Sequence, residues 1–260
     1  MASDLSLIGH IHWNAPWLMP WRESGEALAQ SIVQGMPVHQ AFNARAQIPE
    51  CPVEFVPQTA LPEGQAYEQF IFDTQKVPTR EGLHDFFNAL CWHHFPKAKQ
   101  QLNRIQAQAI HTQGVGAVRG PIRDAVTVFD ENAMLVQVGD DIWQALQMRQ
   151  WQQAFLTHRA LWGHAQLQIF GHAALEKLVK PYKAITVHMW RVPQHVPVQD
   201  WDEWLAQDLR PTKLATKPFV PTPVLGIPGW WAENEQPAFY NDTQVFRMPN
   251  RPHTETLATP

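Results

Sequence analysis

Apolar and polar residues recur at helical spacing along the middle of the chain. Residues 83–95 fit a helix, and Pro96 directly after them is expected to end it. A second helical pattern covers residues 97–111. Nearer the N-terminus, residues 24–34 predict an amphipathic helix that stops at Gly35.

Alternating patterns predict strands on both sides of these helices. A short strand is predicted over residues 53–56. Residues 125–129 alternate in the same way, residues 130–133 have the composition of a turn, and residues 134–138 return as a second strand. The last three segments together predict a β-hairpin in the centre of the chain.

The segment after the hairpin predicts one long helix followed by a strand, a short helix and a strand. Asp140 is expected to cap the long helix, which runs to Trp162. The short helix covers residues 172–179, between strands over residues 167–170 and 184–192. A parallel crossover and an antiparallel return both fit this order of elements.

These elements predict a single α+β domain, with helices packed on a small mixed sheet around the central β-hairpin. Residues 1–62 form an irregular and helical cover and residues 63–192 the core. Residues 193–250 form an irregular wrap rich in proline and tryptophan, and residues 251–260 a flexible tail. The 12 tryptophans are scattered along the 260 residues, which favours a packing role over nucleic-acid stacking.

Composition narrows the classes of function. Charged residues make up 17% of the chain and the formal net charge is −4, so no basic excess attracts nucleic acid or anionic lipid. No apolar run is long enough to cross a membrane, and the first residues lack a signal-peptide pattern. With only two cysteines, we expect a reduced, cytoplasmic protein.

The first candidate site lies on the helix predicted from residue 83. At about 100° per residue, His84, Asn88 and Cys91 share one face, and Asp85 lies a quarter turn away. The positive end of the helix dipole is expected to lower the pKa of His84 and favour the neutral base. Helix capping by His84 or Asp85 is the alternative, and Cys91 fits an inert core residue better than a nucleophile.

The second candidate site surrounds a Gly-Pro turn before the predicted hairpin. Arg119 and Arg123 flank this turn, and their guanidinium groups suit a phosphate or a carboxylate. Asp124 is a candidate catalytic acid, with an ion pair to either arginine as the alternative. Glu131 and Asn132 are interpreted as turn formers.

The third candidate site is a strand-to-helix turn. His172 and Glu176 stand four residues apart, a spacing that serves a His–carboxylate dyad, two ligands of one metal, or a plain surface pair. His188, on the following strand, is expected to approach His172 if the short helix packs on that strand. Two histidines with acidic neighbours suit Zn or Fe, so a divalent metal is left open as a cofactor.

Four groups of residues resemble the signatures of one bacterial family. The groups are Val77-Pro78-Thr79-Arg80 with His84-Asp85, Asn88, Trp92, Phe95-Pro96 and Lys99; Arg119-Gly120 with Arg123-Asp124, Thr127 and Phe129-Asp130-Glu131-Asn132; Gly171-His172-Ala173 with Glu176-Lys177-Leu178 and Pro181; and Pro223-Val224-Leu225-Gly226 with Pro228-Gly229-Trp230, Phe239-Tyr240 and Val245-Phe246-Arg247.

These groups are similar to those of an uncharacterised family known as domain of unknown function 3025. The family pattern has glycine where this chain has Ala133, at the predicted turn. The resemblance supplies no reaction, but it implies that the polar signatures belong to one site. With it, the predicted substrate-binding residues are Asn88, Trp92, Lys99, Arg119, Arg123 and His188.

The sequence therefore favours an enzyme, a hydrolase or group transferase, that acts on a small anionic molecule. Arg119 and Arg123 would bind the anion, and His84 or His172 would act as general base or acid, oriented by Asp85 or Glu176. One alternative is a non-catalytic binding module that uses the surface of residues 221–231. A metal-dependent nuclease is the third hypothesis, and the acidic charge balance argues against it.

Overall fold

The computed structural model describes residues 4–44, 51–113 and 120–248. Ten α-helices lie in these ranges together with several short 3-10 segments, and none of the helices is both long and apolar enough to cross a membrane. The helices are α1 (Arg22–Val33), α2 (Val38–Asn43), α3 (Tyr67–Thr74), α4 (Leu83–His94), α5 (Pro96–Gln113), α6 (Pro121–Asn132), α7 (Asp140–Gln147), α8 (His172–Lys177), α9 (Trp201–Asp208) and α10 (Pro211–Ala215).

Six strands form two small sheets in the described residues. The first two strands pair in parallel, and the other four form a mixed sheet in the order β4-β3-β5-β6. Strand β3 is parallel to β5 and antiparallel to β4, and β5 is antiparallel to β6. The strands are β1 (Glu54–Pro57), β2 (Lys76–Thr79), β3 (Ala133–Gln137), β4 (Gln166–Ile169), β5 (Thr186–Arg191) and β6 (Val220–Pro223).

Helices packed on this mixed sheet confirm the predicted α+β class. Phe129 of α6 contacts Phe170 and Trp190, with ring centroids 5.2 and 5.0 Å apart, so one aromatic cluster joins the helix to the sheet. Phe95 meets Phe170 at 5.2 Å from the other side. All 12 tryptophans are buried in the core or packed against it, as predicted: Trp13, Trp17, Trp21, Trp92, Trp143, Trp151, Trp162, Trp190, Trp201, Trp204, Trp230 and Trp231.

The predicted central β-hairpin is wrong, because its first strand is the helix α6. Pro121 occupies the first turn after Gly120, a position where proline favours a helix start. Buried positions in α6 are Ala125, Val126 and Phe129, which follow a helical rather than an alternating period. The helix ends at Asn132, and Ala133, with an extended backbone at φ −73°, begins β3 directly, so no left-handed turn residue is required.

Two further expectations, the long helix and the irregular wrap, are corrected downstream, and the strand–helix–strand segment, which fitted two arrangements, is now assigned to one of them. The long helix predicted over residues 140–162 is broken: α7 ends at Gln147, and Gly139, not Asp140, is its N-cap residue. The strand–helix–strand segment is an antiparallel return, because β4 and β5 lie on opposite sides of β3 and run in opposite directions. The wrap is also more regular than expected, since it contains α9, α10 and β6. The predicted tail over residues 251–260 lies outside the described residues.

Candidate functional site

A cavity of about 440 Å³ lies among α3, α4, α5 and α6, beside the start of α8. We call it the polar cavity, because most of its lining side chains carry a hydrogen-bonding or charged group. Those residues are Gln58, Tyr67, Glu68, Arg80, His84, Asp85, Asn88, Trp92, Lys99, Gln106, Arg123, Thr127, Asp130, Glu131 and His172.

A chain of three side chains spans α4 and α8. Nδ1 of His84 lies 2.8 Å from Oε2 of Glu176, and Nε2 of His84 lies 3.1 Å from Nε2 of His172. A carboxylate only accepts hydrogen bonds, so Nδ1 of His84 carries a hydrogen and donates it to Glu176. His172 and Glu176 therefore do not form a dyad with each other, which was one of three arrangements that their i,i+4 spacing allows. Glu176 orients His84 instead.

The two histidines have opposite protonation preferences. The hydrogen bond to Glu176 raises the pKa of His84, against a smaller opposing effect of burial. The expectation that the helix dipole would lower this pKa is thus wrong. Burial lowers the pKa of His172 to about 4, so this ring is neutral at pH 7.

Asp130 and Lys99 form a buried ion pair beside His172. Nζ of Lys99 donates to Oδ1 of Asp130 at 2.5 Å, and the side chains are 5% and 15% exposed. Burial alone would raise the pKa of Asp130, but the positive charge and the hydrogen bond of Lys99 outweigh it, and the pKa is lowered. Oδ2 of Asp130 lies 3.6 Å from Nδ1 of His172, so its negative charge favours the hydrogen on that nitrogen.

The ammonium group of Lys99 is also linked through hydrogen bonds to the opposite wall of the polar cavity. Lys99 also donates to Oδ1 of Asn88 at 2.9 Å, and the amide of Asn88 donates to the hydroxyl of Tyr67 at 3.2 Å. Burial, with the negative charges of Glu68, Asp85 and Asp130, raises the pKa of Tyr67. The phenol therefore stays protonated at neutral pH.

Asp85 holds the loop that enters α4. Its carboxylate accepts hydrogen bonds from the backbone N–H of Arg80 at 2.6 Å and from the Arg80 guanidinium at 3.1 and 2.9 Å. Both oxygens are therefore occupied, and Asp85 does not orient His84 as the sequence suggested. Asp85 lines the polar cavity as a partner of Arg80.

Helix α6 supplies one wall because its polar residues share a face. Arg123, Thr127, Asp130 and Glu131 lie at positions i, i+4, i+7 and i+8, and all four line the polar cavity. Alternation along a strand would place Asp130 on the face opposite Arg123, Thr127 and Glu131. The helix therefore brings Asp130 to the same side as the other three, where it reaches Lys99.

Two predicted site residues lie elsewhere, and one lies outside the described residues. Asp124 forms an ion pair with Lys217, 2.5 Å away, and does not line the polar cavity. His188 packs against Phe219, with ring centroids 4.9 Å apart, and does not line it either. Arg119 falls in the range that the structure does not describe.

Cys91 is buried in the core, and its thiol donates to the carbonyl of Phe170 at 3.1 Å. Burial raises the pKa of this thiol, so the structure agrees with an inert residue.

The sequence pattern did not point to four polar residues that line the polar cavity: Gln58, Tyr67, Glu68 and Gln106. Glu68 accepts a hydrogen bond from Asn103 at 2.7 Å, and burial raises its pKa. Arg80 and Asp130 belong to the family signatures, but neither receives a role from the sequence pattern. The apolar and aromatic segment around Tyr67 carries no polar pattern that could have identified it.

The described residues contain no group of three His, Cys, Asp or Glu side chains arranged to hold a metal ion. Within the polar cavity, the Nε2 atoms of His84 and His172 face each other at hydrogen-bond distance. The arrangement suits proton transfer between two rings. The catalytic and binding roles of the cavity residues remain predictions.

The fold and the site define an α+β protein with paired histidines in a polar cavity. The chain belongs to the family described as "Protein of unknown function (DUF3025)", whose model matches residues 53–251 and so includes every residue that lines the cavity. The resemblance noted in the sequence is thereby confirmed. No curated protein and no solved structure matches the chain.

Proposed function

We propose that this protein is an enzyme, a hydrolase or a group transferase, that acts on a small molecule with an anionic group. The observation that carries the proposal is the Glu176–His84–His172 chain, with distances of 2.8 and 3.1 Å, at the wall of the polar cavity. Proton transfer is the chemistry that such a chain performs.

The His84 and His172 side chains together can accept a proton when both rings are neutral. The hydrogen on Nδ1 of His84 points to Glu176, and the negative charge of Asp130, 3.6 Å from Nδ1 of His172, favours the hydrogen of that ring on Nδ1. The lone pairs of the two Nε2 atoms then face each other across 3.1 Å. A proton placed between them replaces this repulsion with a hydrogen bond. A bound water or hydroxyl group is the source of that proton.

In hydrolysis, the oxygen of water bonds to the electrophilic atom of the substrate as its proton passes to Nε2 of His84. The bond to the leaving group breaks, and the same proton returns to the leaving group, so the histidine pair ends unchanged. In group transfer, an acceptor hydroxyl takes the place of water. Arg123 supplies a guanidinium group for the anionic part of the substrate.

The alternative functions have less support. Most of residues 221–231 are buried, so this segment offers little surface for a binding partner. Arg80 and Lys99 are each paired with a carboxylate, so they do not form the basic groove that a nuclease uses.

Replacing His84 by glutamine is expected to lower kcat/KM by about 10²–10⁴-fold, because the base is lost while the amide can still bond to Glu176. The assay is a panel of p-nitrophenyl phosphates, p-nitrophenyl esters and N-succinyl p-nitroanilides. The matched control is His12→Gln, at an exposed histidine outside the cavity, which should retain the wild-type rate. Failure of the wild-type protein to turn over any member, or equal rates in the His84 variant, would contradict the proposal.

A further inference from the structure

Two charged side chains of α6 line the polar cavity without a partner among the described residues. Nε of Arg123 is buried and has no hydrogen-bond partner in that part of the chain. Neither Arg123 nor Glu131 forms an ion pair within the same ranges. Since unpaired charges in a cavity favour charged ligand groups, each one predicts a group of the opposite sign.

The other cations of the cavity are already neutralised. Arg80 forms a salt bridge with Asp85, and Lys99 forms one with Asp130. Glu68 accepts a hydrogen bond from the side chain of Asn103 at 2.7 Å, so this carboxyl group already has a partner inside the protein. The polar cavity therefore presents one available positive group and one available negative group among the described residues, and a purely anionic ligand leaves Glu131 uncompensated.

The spacing of these two groups sets the shape of the ligand. They stand eight residues apart on one helix, which corresponds to a rise of about 12 Å. Glu131 follows Asp130, which lies beside His172, so the negative group is at the histidine end of the cavity. Arg123 is at the opposite end of α6.

We propose that the substrate is an amino-carboxylate, an elongated molecule whose carboxylate binds Arg123 and whose amino group binds Glu131. This inference rests on the proposed function and names its substrate class. The amino end of the molecule lies nearest the paired histidines, so the reacting bond is expected there.

Isothermal titration calorimetry with 8-aminooctanoate, octanoate and octylamine tests the proposal without any need for turnover. The amino-carboxylate is expected to bind about tenfold more tightly than either singly charged molecule. Shorter 4-aminobutyrate should lose this advantage, because it cannot reach both groups. Equal affinity for octanoate and 8-aminooctanoate, or no binding of the three ligands, would overturn the proposal.

Two variants separate the ends of the ligand. Glu131→Gln should weaken 8-aminooctanoate about tenfold and leave octanoate unchanged, whereas Arg123→Gln should weaken both. The matched controls are Glu63→Gln and Arg22→Gln, at exposed residues outside the cavity, and neither should change any affinity. An Arg123 or Glu131 variant with wild-type affinities contradicts the assignment of that group.

The two proposals fail separately. The His84→Gln variant should keep the preference for 8-aminooctanoate, because His84 takes no part in either charged contact. If the protein prefers 8-aminooctanoate but turns over no substrate, only the proposed enzymatic function is contradicted. If the protein turns over a substrate but does not prefer 8-aminooctanoate, only the proposed substrate class is contradicted.

Discussion

Replacing Gly171 by alanine is expected to lower the free energy of unfolding by about 3 kcal/mol, because the added methyl group has no space. An ideal Cβ at this position lies 2.4 Å from the carbonyl oxygen of Glu131 and 2.5 Å from Cα and N of Asn132. These are backbone atoms and cannot rotate away. The backbone N–H of Gly171 also donates to the carbonyl of Ala133 at 2.8 Å, so the segment is held from both sides.

The effect of this substitution is steric and not conformational. Gly171 has φ −68° and ψ 117°, values that alanine adopts without strain. A suitable control is Gly163→Ala, because nothing lies within 4 Å of its added methyl group. Chemical denaturation compares the two variants, and a Gly171 variant as stable as wild type would contradict the close approach of α6 and α8.

The Lys99→Met substitution is expected to lower the free energy of unfolding by about 3–5 kcal/mol, because it leaves the Asp130 carboxylate buried without its counter-ion. Lys99 is 4% exposed and its ammonium group also bonds to Asn88. Denaturant unfolding measures the loss. The double variant Lys99→Met/Asp130→Asn should recover part of it, since the unpaired charge is then removed.

The neighbouring Lys97 gives the matched control for this ion pair. Its pair with Glu203 is about half exposed on both sides, at 2.6 Å. Exposed pairs contribute roughly 0–1 kcal/mol, so Lys97→Met should change stability little. Equal effects of the Lys97 and Lys99 substitutions would show that the Lys99–Asp130 pair is not a buried one.

Helical and strand periods predict most elements, and they fail where the local composition is ambiguous. The helices predicted over residues 83–95 and 97–111 correspond to α4 and α5. The strand predicted over residues 134–138 corresponds to β3. Residues 125–129 favour a strand because Val126, Thr127 and Val128 are β-branched. Gly120-Pro121 gives the competing signal, a helix start, and burial of one helical face decides the outcome.

Only part of the site could be predicted from the sequence. Helix spacing shows which residues share a face of one helix, but not which residues of other elements they contact. His84, Asn88 and His172 line one cavity, as their signatures implied. Glu176 stands one turn after His172, yet its partner is His84, because α4 and α8 pack together. His188 and Asp124 point elsewhere for the same reason: β5 and the outer face of α6 meet other neighbours.

Histidine NMR titration tests whether Glu176, His84 and His172 form one proton-transfer chain. We expect the His84 ring to titrate above the usual range of histidine and the His172 ring near pH 4. Glu176→Gln should lower the pKa of His84, because it removes the main cause of the rise. Two rings that both titrate in the usual range of histidine, with no response to the Glu176 substitution, would contradict such a chain.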